Sequence, residues 1–455
     1  MLERARVAQT RYERYTQEQV DEVVSAAGWA IVKPQNNRRL AELAVLDTGL
    51  GNVADKIAKN ERKTLGLLRD LQGAKSVGVI AEYPDLGIVE IARPAGVVAA
   101  ITPSTNPGAT PANKIINALK GRNAVIVAPS PRGWSTCALL LEFIHAEFKK
   151  IGADADLVQM LPAPVTKEAT QALMKAADLV VATGSQANVR AAYASGTPAV
   201  GVGLGNVAVI IDDSADLADA ARKIRESKCF DNATSCSSEN SLVILNSVYG
   251  PMLAELEKAG GALLDAGEKK KLQAAMWPGG KLSPEIMARP MADLVRAARL
   301  RPQLAKAQFL MVEETGVGKD SPFSGEKLSL VLTLYKATSF EDAFETVRRI
   351  YAYQGAGHSV GIHTKNDAQV MKLGLEMPAA RVIVNQAHAI ANGGAYDNAL
   401  PFSLSMGCGT WGRNSISENM NYRHYLNITR IVRTITPRVP TIEGLFGAYH
   451  RKHGR

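Results

Sequence analysis

Between Pro94 and Ala182 short apolar runs alternate with helix-length stretches, and this alternation narrows the possible folds more than any other feature. Val97-Val98-Ala99-Ala100-Ile101 is the first run, and Ala124-Val125-Ile126-Val127-Ala128 the second; Leu157–Met160 and Leu179–Ala182 follow. The stretches between them, at about 110–119, 134–150 and 169–177, read as helices. Strands that are apolar throughout must be covered on both faces, which predicts a parallel sheet between helical layers. A ligand of such a sheet lies beyond the carboxyl ends of its strands. No Gly-x-Gly-x-x-Gly opens the sheet, so the usual dinucleotide fingerprint is missing.

Upstream, Leu2 to Leu71 has helical periodicity punctuated by Gly28, Gly51 and Gly73. Residues 76–93 hold two β-rich runs around Tyr83-Pro84-Asp85-Leu86-Gly87, the pattern of a hairpin. A second α/β region follows, with strands expected at 309–313, 328–335, 360–363 and 381–384 and helices near 252–259, 268–276 and 340–353. Residues 391–419 are glycine-rich and loop-like. Asn427–Arg433 alternates as a strand with no partner nearby in sequence, so pairing with another subunit is expected. At 455 residues the chain is too long for one core, and two or three domains are expected.

A net charge of +9 raises the question of nucleic acid, but the basic residues are scattered and aromatics are only 5%. Such a balance suits anionic small molecules equally well. The first thirty residues read as a charged amphipathic helix, not a signal peptide, and no apolar run approaches membrane-spanning length. Cys137, Cys229, Cys236 and Cys408 form no paired framework, which suits free thiols in a reducing compartment. A cytoplasmic protein without membrane or nucleic-acid partners is expected.

Cys236 stands out within Phe230-Asp231-Asn232-Ala233-Thr234-Ser235-Cys236-Ser237-Ser238-Glu239-Asn240, just before the apolar run Leu242-Val243-Ile244-Leu245. A cysteine framed by small polar residues at the start of a strand suits a nucleophile, whose reactive thiolate needs donors around it. The alternative is an inert buried thiol. Asn106, before Pro107, reads by itself as a turn residue. A carboxylate three residues on would raise the thiol's pKa, so Glu239 is given no helping role.

Taken together, Ile101-Thr102-Pro103-Ser104-Thr105-Asn106-Pro107, Ala182-Thr183-Gly184-Ser185, Phe230-Asp231-Asn232 leading to Cys236, Glu326-Lys327-Leu328-Ser329, Gly357-His358-Ser359 and Gly407-Cys408-Gly409-Thr410-Trp411-Gly412 occur in one order. In this the chain resembles the aldehyde dehydrogenase superfamily, and within it the CoA-acylating branch. The resemblance implies two α/β domains with open parallel-type sheets and a small β oligomerisation element. Residues 1–75 and 94–227 would bind the nucleotide, 228–425 would carry the cysteine, and 76–93 with 426–435 would form the oligomerisation element of a homodimer or homotetramer. Residues 436–455 would be a tail. It implies Cys236 as nucleophile, Asn106 and the cysteine's own backbone N–H as oxyanion donors, and Glu326 on the nicotinamide ribose. Thr102, Pro103, Ser130, Arg132, Gly184, Ser185 and Gly203 would line the cofactor, and Thr234 and Cys408 the substrate. His358 would assist thiol deprotonation or serve the structure. No metal is implied.

Hydrolytic members carry a water-activating glutamate in a Glu-Leu-Gly-Gly block, whereas no charged residue occurs here between Ala191 and Ile211. Without a general base an acyl-thioester waits for a thiol, so coenzyme A is the expected acceptor. Hydrolytic oxidation and a non-enzymatic binding role are the competing readings. The lysine that binds the adenosine ribose in hydrolytic members is Ala128 here, and Arg132 follows with no acid nearby, which leans to NADP over NAD. Arg413 stands where relatives have glycine, and reads as a donor to an anionic substrate or to a CoA phosphate; Arg423 and His424 are further candidates. The resemblance implies sulfoacetaldehyde as substrate, then succinic semialdehyde, then acetaldehyde.

Overall fold

A computed structural model describes residues 1–455. Four helices open the chain: α1 (Leu2–Tyr12), α2 (Gln17–Val32), α3 (Pro34–Thr48) and α4 (Val53–Leu71). Local chemistry sets their ends. Thr16 and Gln19 close a capping box on α2, Pro34 opens α3, Gly49 ends it at φ 65°, and the Asn52 side chain accepts from the Asp55 amide to start α4. The buried face of α4 carries Lys56, Lys59, Asn60 and Lys63 before it reaches Leu67 and Leu71. An amphipathic helix normally turns its charges to water; here much of the charge points inward.

β1 (Gly78–Tyr83) and β2 (Ile88–Pro94) form the expected antiparallel hairpin. The first α/β unit contains β3 (Val97–Ile101), β4 (Ala124–Ala128), β5 (Val158–Met160), β6 (Leu179–Thr183) and β7 (Ala199–Val202). These form one parallel sheet in the order β5-β4-β3-β6-β7. β3 and β4 are buried at every position because helices cover both faces. Their core is continuous with α1–α4.

The second unit has seven parallel strands: β8 (Val207–Ile211), β9 (Glu239–Leu245), β10 (Gly261–Leu263), β11 (Phe309–Glu313), β12 (Val331–Ala337), β13 (Val360–His363) and β14 (Val382–Val384). Their order is β10-β11-β12-β9-β8-β13-β14. β8 lies between β9 and β13, and the helix Leu217–Cys229 packs on this sheet. The two sheets therefore part in the glycine-rich stretch after β7, not at residue 227 as the sequence division had it. A buried apolar strand looks alike in either sheet, and only pairing assigns it. Phe402, Met420 and Tyr425 pack into the first unit's core, so the end of the 228–425 segment crosses back.

A second difference concerns β15 (Leu426–Val432). It pairs antiparallel with β2 of its own chain, from Leu426 opposite Pro94 to Val432 opposite Ile88. The separation in sequence hid this partner. β12 also begins later than expected, because Leu328 takes φ 42° and cannot extend the strand backwards. No helix is long and apolar enough to cross a membrane.

Candidate active site

The helix Leu217–Cys229 ends in an unusual turn. Asp231, Asn232 and Ala233 have φ of 51°, 51° and 59°, a left-handed run without glycine. Each such residue costs roughly 1–2 kcal/mol, so the surroundings must hold it. The Asp231 amide donates to Asp55 at 2.7 Å, and Asn232 Nδ2 donates to the carbonyls of Gly51 and Ala288. The fully buried Asp231 carboxylate accepts from the Asn52 amide at 3.0 Å, Lys56 Nζ at 3.1 Å, Lys59 Nζ at 2.5 Å and Thr234 Oγ1 at 2.7 Å. Burial pushes this carboxyl up, but the two lysines and these hydrogen bonds outweigh it and hold it below the usual carboxylate range. Lys56 is itself drawn down to about 8 by burial, against the pull of Asp231.

The turn delivers Cys236, half-buried, to the threshold of β9. Burial, then the neighbouring Glu326 and Cys408, push its thiol up to about 12. At neutral pH the Cys236 side chain therefore rests as a thiol. Cys408 is pushed up to about 11 by burial. Burial also raises the Glu326 carboxyl to about 8, so at neutral pH it is mainly a neutral acid. Gly203 and Gly205 run among these three groups. The Gly203 amide meets the Cys408 thiol, the Gly205 amide meets the Glu326 carboxyl, and a Cβ on Gly205 would stand 2.1 Å from the Cys236 carbonyl oxygen. Only glycine fits there.

Asn106 reaches the site from the loop after β3, and its Oδ1 accepts from Lys59 Nζ at 2.8 Å. Lys59 also donates to Thr234 Oγ1 at 3.0 Å. Asn106, Thr234 and the Cys236 turn thus meet around a lysine that sequence reading did not single out. Its spacing with Lys56 and Lys63 reads as a solvated stripe, and only the packing of α4 reveals otherwise.

Of the residues expected at the cofactor, all but Glu326, which precedes β12 in the second unit, gather at the carboxyl ends of the first sheet. Thr102 is buried after β3 with its Oγ1 unpartnered, and Ser130 follows β4, its amide donating to the Thr102 carbonyl. Gly184 takes φ 142°, a conformation L side chains rarely adopt, while a Cβ there would make only ordinary contact with Pro103. Ser185 caps the helix Gln186–Tyr193, leaving first-turn amides free for an anion. An orphaned hydroxyl, a glycine at positive φ and a helix N-terminus with free amides fit a dinucleotide. Arg132 is exposed on the turn beyond β4.

His358 is buried, and burial keeps it well below its usual pKa, hence neutral. Its Nδ1 lies 2.8 Å from Ser359 Oγ, which lies 2.9 Å from His388 Nε2, while His358 Nε2 has no partner. Arg381, another residue missed in the sequence, ties the carbonyls of His358 and Gly407 together. Glu239 is turned away from catalysis: its carboxylate takes the Ser227 hydroxyl and the His388 amide. Arg413 is exposed, at φ 57°, beside Gly412, whose added Cβ would press on Cys408. The further cations lie elsewhere. His424 pairs with Glu418, and Arg423 lines a cleft beside the hairpin with Lys75 and Glu90.

The sequence profile of the aldehyde dehydrogenase family matches residues 1–278. The chain belongs to that family, and is an oxidoreductase acting on aldehydes. It is 62% identical to a sulfoacetaldehyde dehydrogenase (acylating) of Cupriavidus necator, over 100% of this chain and 92% of the relative. A succinate-semialdehyde dehydrogenase (acetylating) of Clostridium kluyveri is 38% identical, over 98% of each chain. Among solved structures, an acetylating aldehyde dehydrogenase from Geobacillus thermoglucosidasius superposes with a TM-score of 0.92 at 35% identity, covering 97% of both chains.

Proposed function

We propose that this chain oxidises a short anionic aldehyde, sulfoacetaldehyde foremost, to its coenzyme A thioester. The observation that carries acyl transfer to a thiol is the lack of a usable carboxylate base at Cys236. The stretch from Ala191 to Ile211 is uncharged, Glu326 is held as a neutral acid, and Glu239 is engaged elsewhere. Cys236 Sγ gives its thiol proton to water as it bonds to the aldehyde carbon, and the carbonyl electron pair moves to oxygen, facing Asn106 Nδ2 and the Cys236 amide. A donor of this kind contributes about 3–4 kcal/mol to the transition state. A nicotinamide nucleotide, held by Thr102, Ser130, Gly184, Ser185 and Gly203 with Glu326 toward its ribose, supplies the hydride acceptor. As the C–H electron pair leaves as hydride, the oxyanion pair re-forms the carbonyl and the acyl group is left on Cys236 as a thioester. The CoA thiol loses its proton to His358 Nε2, its sulfur attacks the acyl carbon, and Cys236 leaves with its electron pair.

An anionic substrate suits the inward face of α4, where Lys56 and Lys59 share the carboxylate of Asp231 and Lys63 donates to the Gly393 carbonyl. A hydrogen bond to a charged head group contributes roughly 1.5–3 kcal/mol, or about 10- to 150-fold preference over acetaldehyde. Succinic semialdehyde, which the Clostridium kluyveri relative is named for, is the second reading. NADP is favoured over NAD because Ala128 stands in the lysine's place and Arg132 is free for a 2′-phosphate. Specificity constants for the three aldehydes, with NAD and NADP separately and with and without CoA, test each part. Equal NAD(P)H formation without CoA overturns the acylating reading, and preference for acetaldehyde overturns the anionic one.

A further inference from the structure

We infer that Lys59 is a positioning residue that fixes the Asn106 amide with its N–H end toward the reacting carbonyl and strengthens that donor. The inference rests on the reading of Asn106 as an oxyanion donor.

An ammonium has three protons and no lone pair, so only the oxygen end of an amide can face it. With Oδ1 held 2.8 Å from Lys59 Nζ, the Nδ2 end has one orientation left. Lys59 itself has no freedom to turn away. Its three protons meet three acceptors, on Asn106, Asp231 and Thr234, and its side chain is almost wholly buried. One turn earlier Lys56 Nζ bridges the Thr105 carbonyl at 3.2 Å and the same Asp231 oxygen at 3.1 Å. The pair therefore ties the loop after β3, which carries Asn106, to the turn that delivers Cys236. These are the two sources of oxyanion donors, and they come from different α/β units. Charge adds a second effect. The Lys59 ammonium lies against the amide oxygen, on the side of Asn106 opposite the N–H that faces the developing anion. A hydrogen bond to the amide oxygen polarises the amide and makes its N–H a stronger donor.

A double-mutant cycle on the full-length enzyme, read as kcat for aldehyde oxidation in the presence of CoA, tests this. Removing one oxyanion donor typically lowers kcat by about 10²- to 10³-fold. Asn106→Ala should show that loss, and Lys59→Met should lose roughly 10²-fold in kcat while KM for CoA stays unchanged. If Lys59 acts through Asn106, the double variant should be no slower than Asn106→Ala within about threefold, as for residues that work as a unit. Should Lys59→Met fail to fold, Lys59→Gln takes its place in the cycle with the same expected non-additivity. Losses that multiply in the double variant, or a Lys59 variant within about threefold of wild type beside a slow Asn106→Ala, overturn the role of Lys59. Wild-type kcat in Asn106→Ala itself overturns the oxyanion reading instead.

Discussion

Asp231→Asn should expose how much the site depends on one buried carboxylate. Asp231 is wholly buried and is the sole carboxylate bound to Lys56 and Lys59. Its amide analogue leaves two buried ammonium groups facing each other with no carboxylate in contact and only Asp55 nearby. Removing one partner of a buried ion pair costs roughly 3–5 kcal/mol, mostly through the charge left behind. The left-handed turn at 231–233 loses part of its anchorage at the same time. The expected result is a loss of at least about 3 kcal/mol in the first urea-unfolding transition at pH 7, followed by tryptophan fluorescence. Lys59→Met in the same background removes one stranded charge, so the double variant should be no less stable than Asp231→Asn alone. The pH dependence has a fixed sign. Asp231 has a depressed folded-state pKa, so its contribution is present above an unfolded value of about 3.9 and is lost as pH falls through the lower folded value. The variant should therefore lose less stability than wild type on going to acid. A loss below about 1 kcal/mol at pH 7, or additive losses in the double variant, would refute the reasoning.

Glu326 has the opposite sign. Its folded pKa is raised to about 8, so its contribution is fully present below an unfolded value of about 4.3 and is lost as pH rises through about 8. Wild type minus Glu326→Gln should therefore decline in unfolding midpoint between pH 5 and 9, and parallel curves would contradict the burial of this acid. Arg413→Ala should raise KM for CoA or erase the preference for anionic aldehydes; steady-state kinetics in which neither moves would remove Arg413 from the site. Full-length protein is expected to sediment as a dimer or tetramer. Deleting residues beyond Asn427 strips β2 of most of its partner strand and removes the exposed apolar residues Ile442, Leu445, Phe446 and Tyr449. The truncated chain should be monomeric or unstable, and an unchanged sedimentation coefficient per assembly together with unchanged stability would count against the role of this element.

The sequence by itself determined the parts of this protein that are written in local pattern. Uniformly apolar runs such as Ala124–Ala128 must be buried on both faces, and they are parallel strands between helices. The Pro-Asp turn at 84–85 made a hairpin because its geometry is short-range. The ordered motifs around Cys236 carried the family, since each residue type is tied to a chemical task. Tertiary structure alone decided what depends on partners far away in the chain. The apolar run of β8 fits either sheet, and pairing with β9 and β13 placed it in the second. β15 found β2, hundreds of residues upstream, where no local signal could point. The lysines of α4 carry the same lesson. Their helical spacing is the pattern of a solvated face, because a lone buried ammonium is costly and no local feature shows its acceptors. Asp231, Asn106, Thr105 and Thr234 supply those acceptors from other elements, and their convergence turns a stripe of charges into the inner wall of the site.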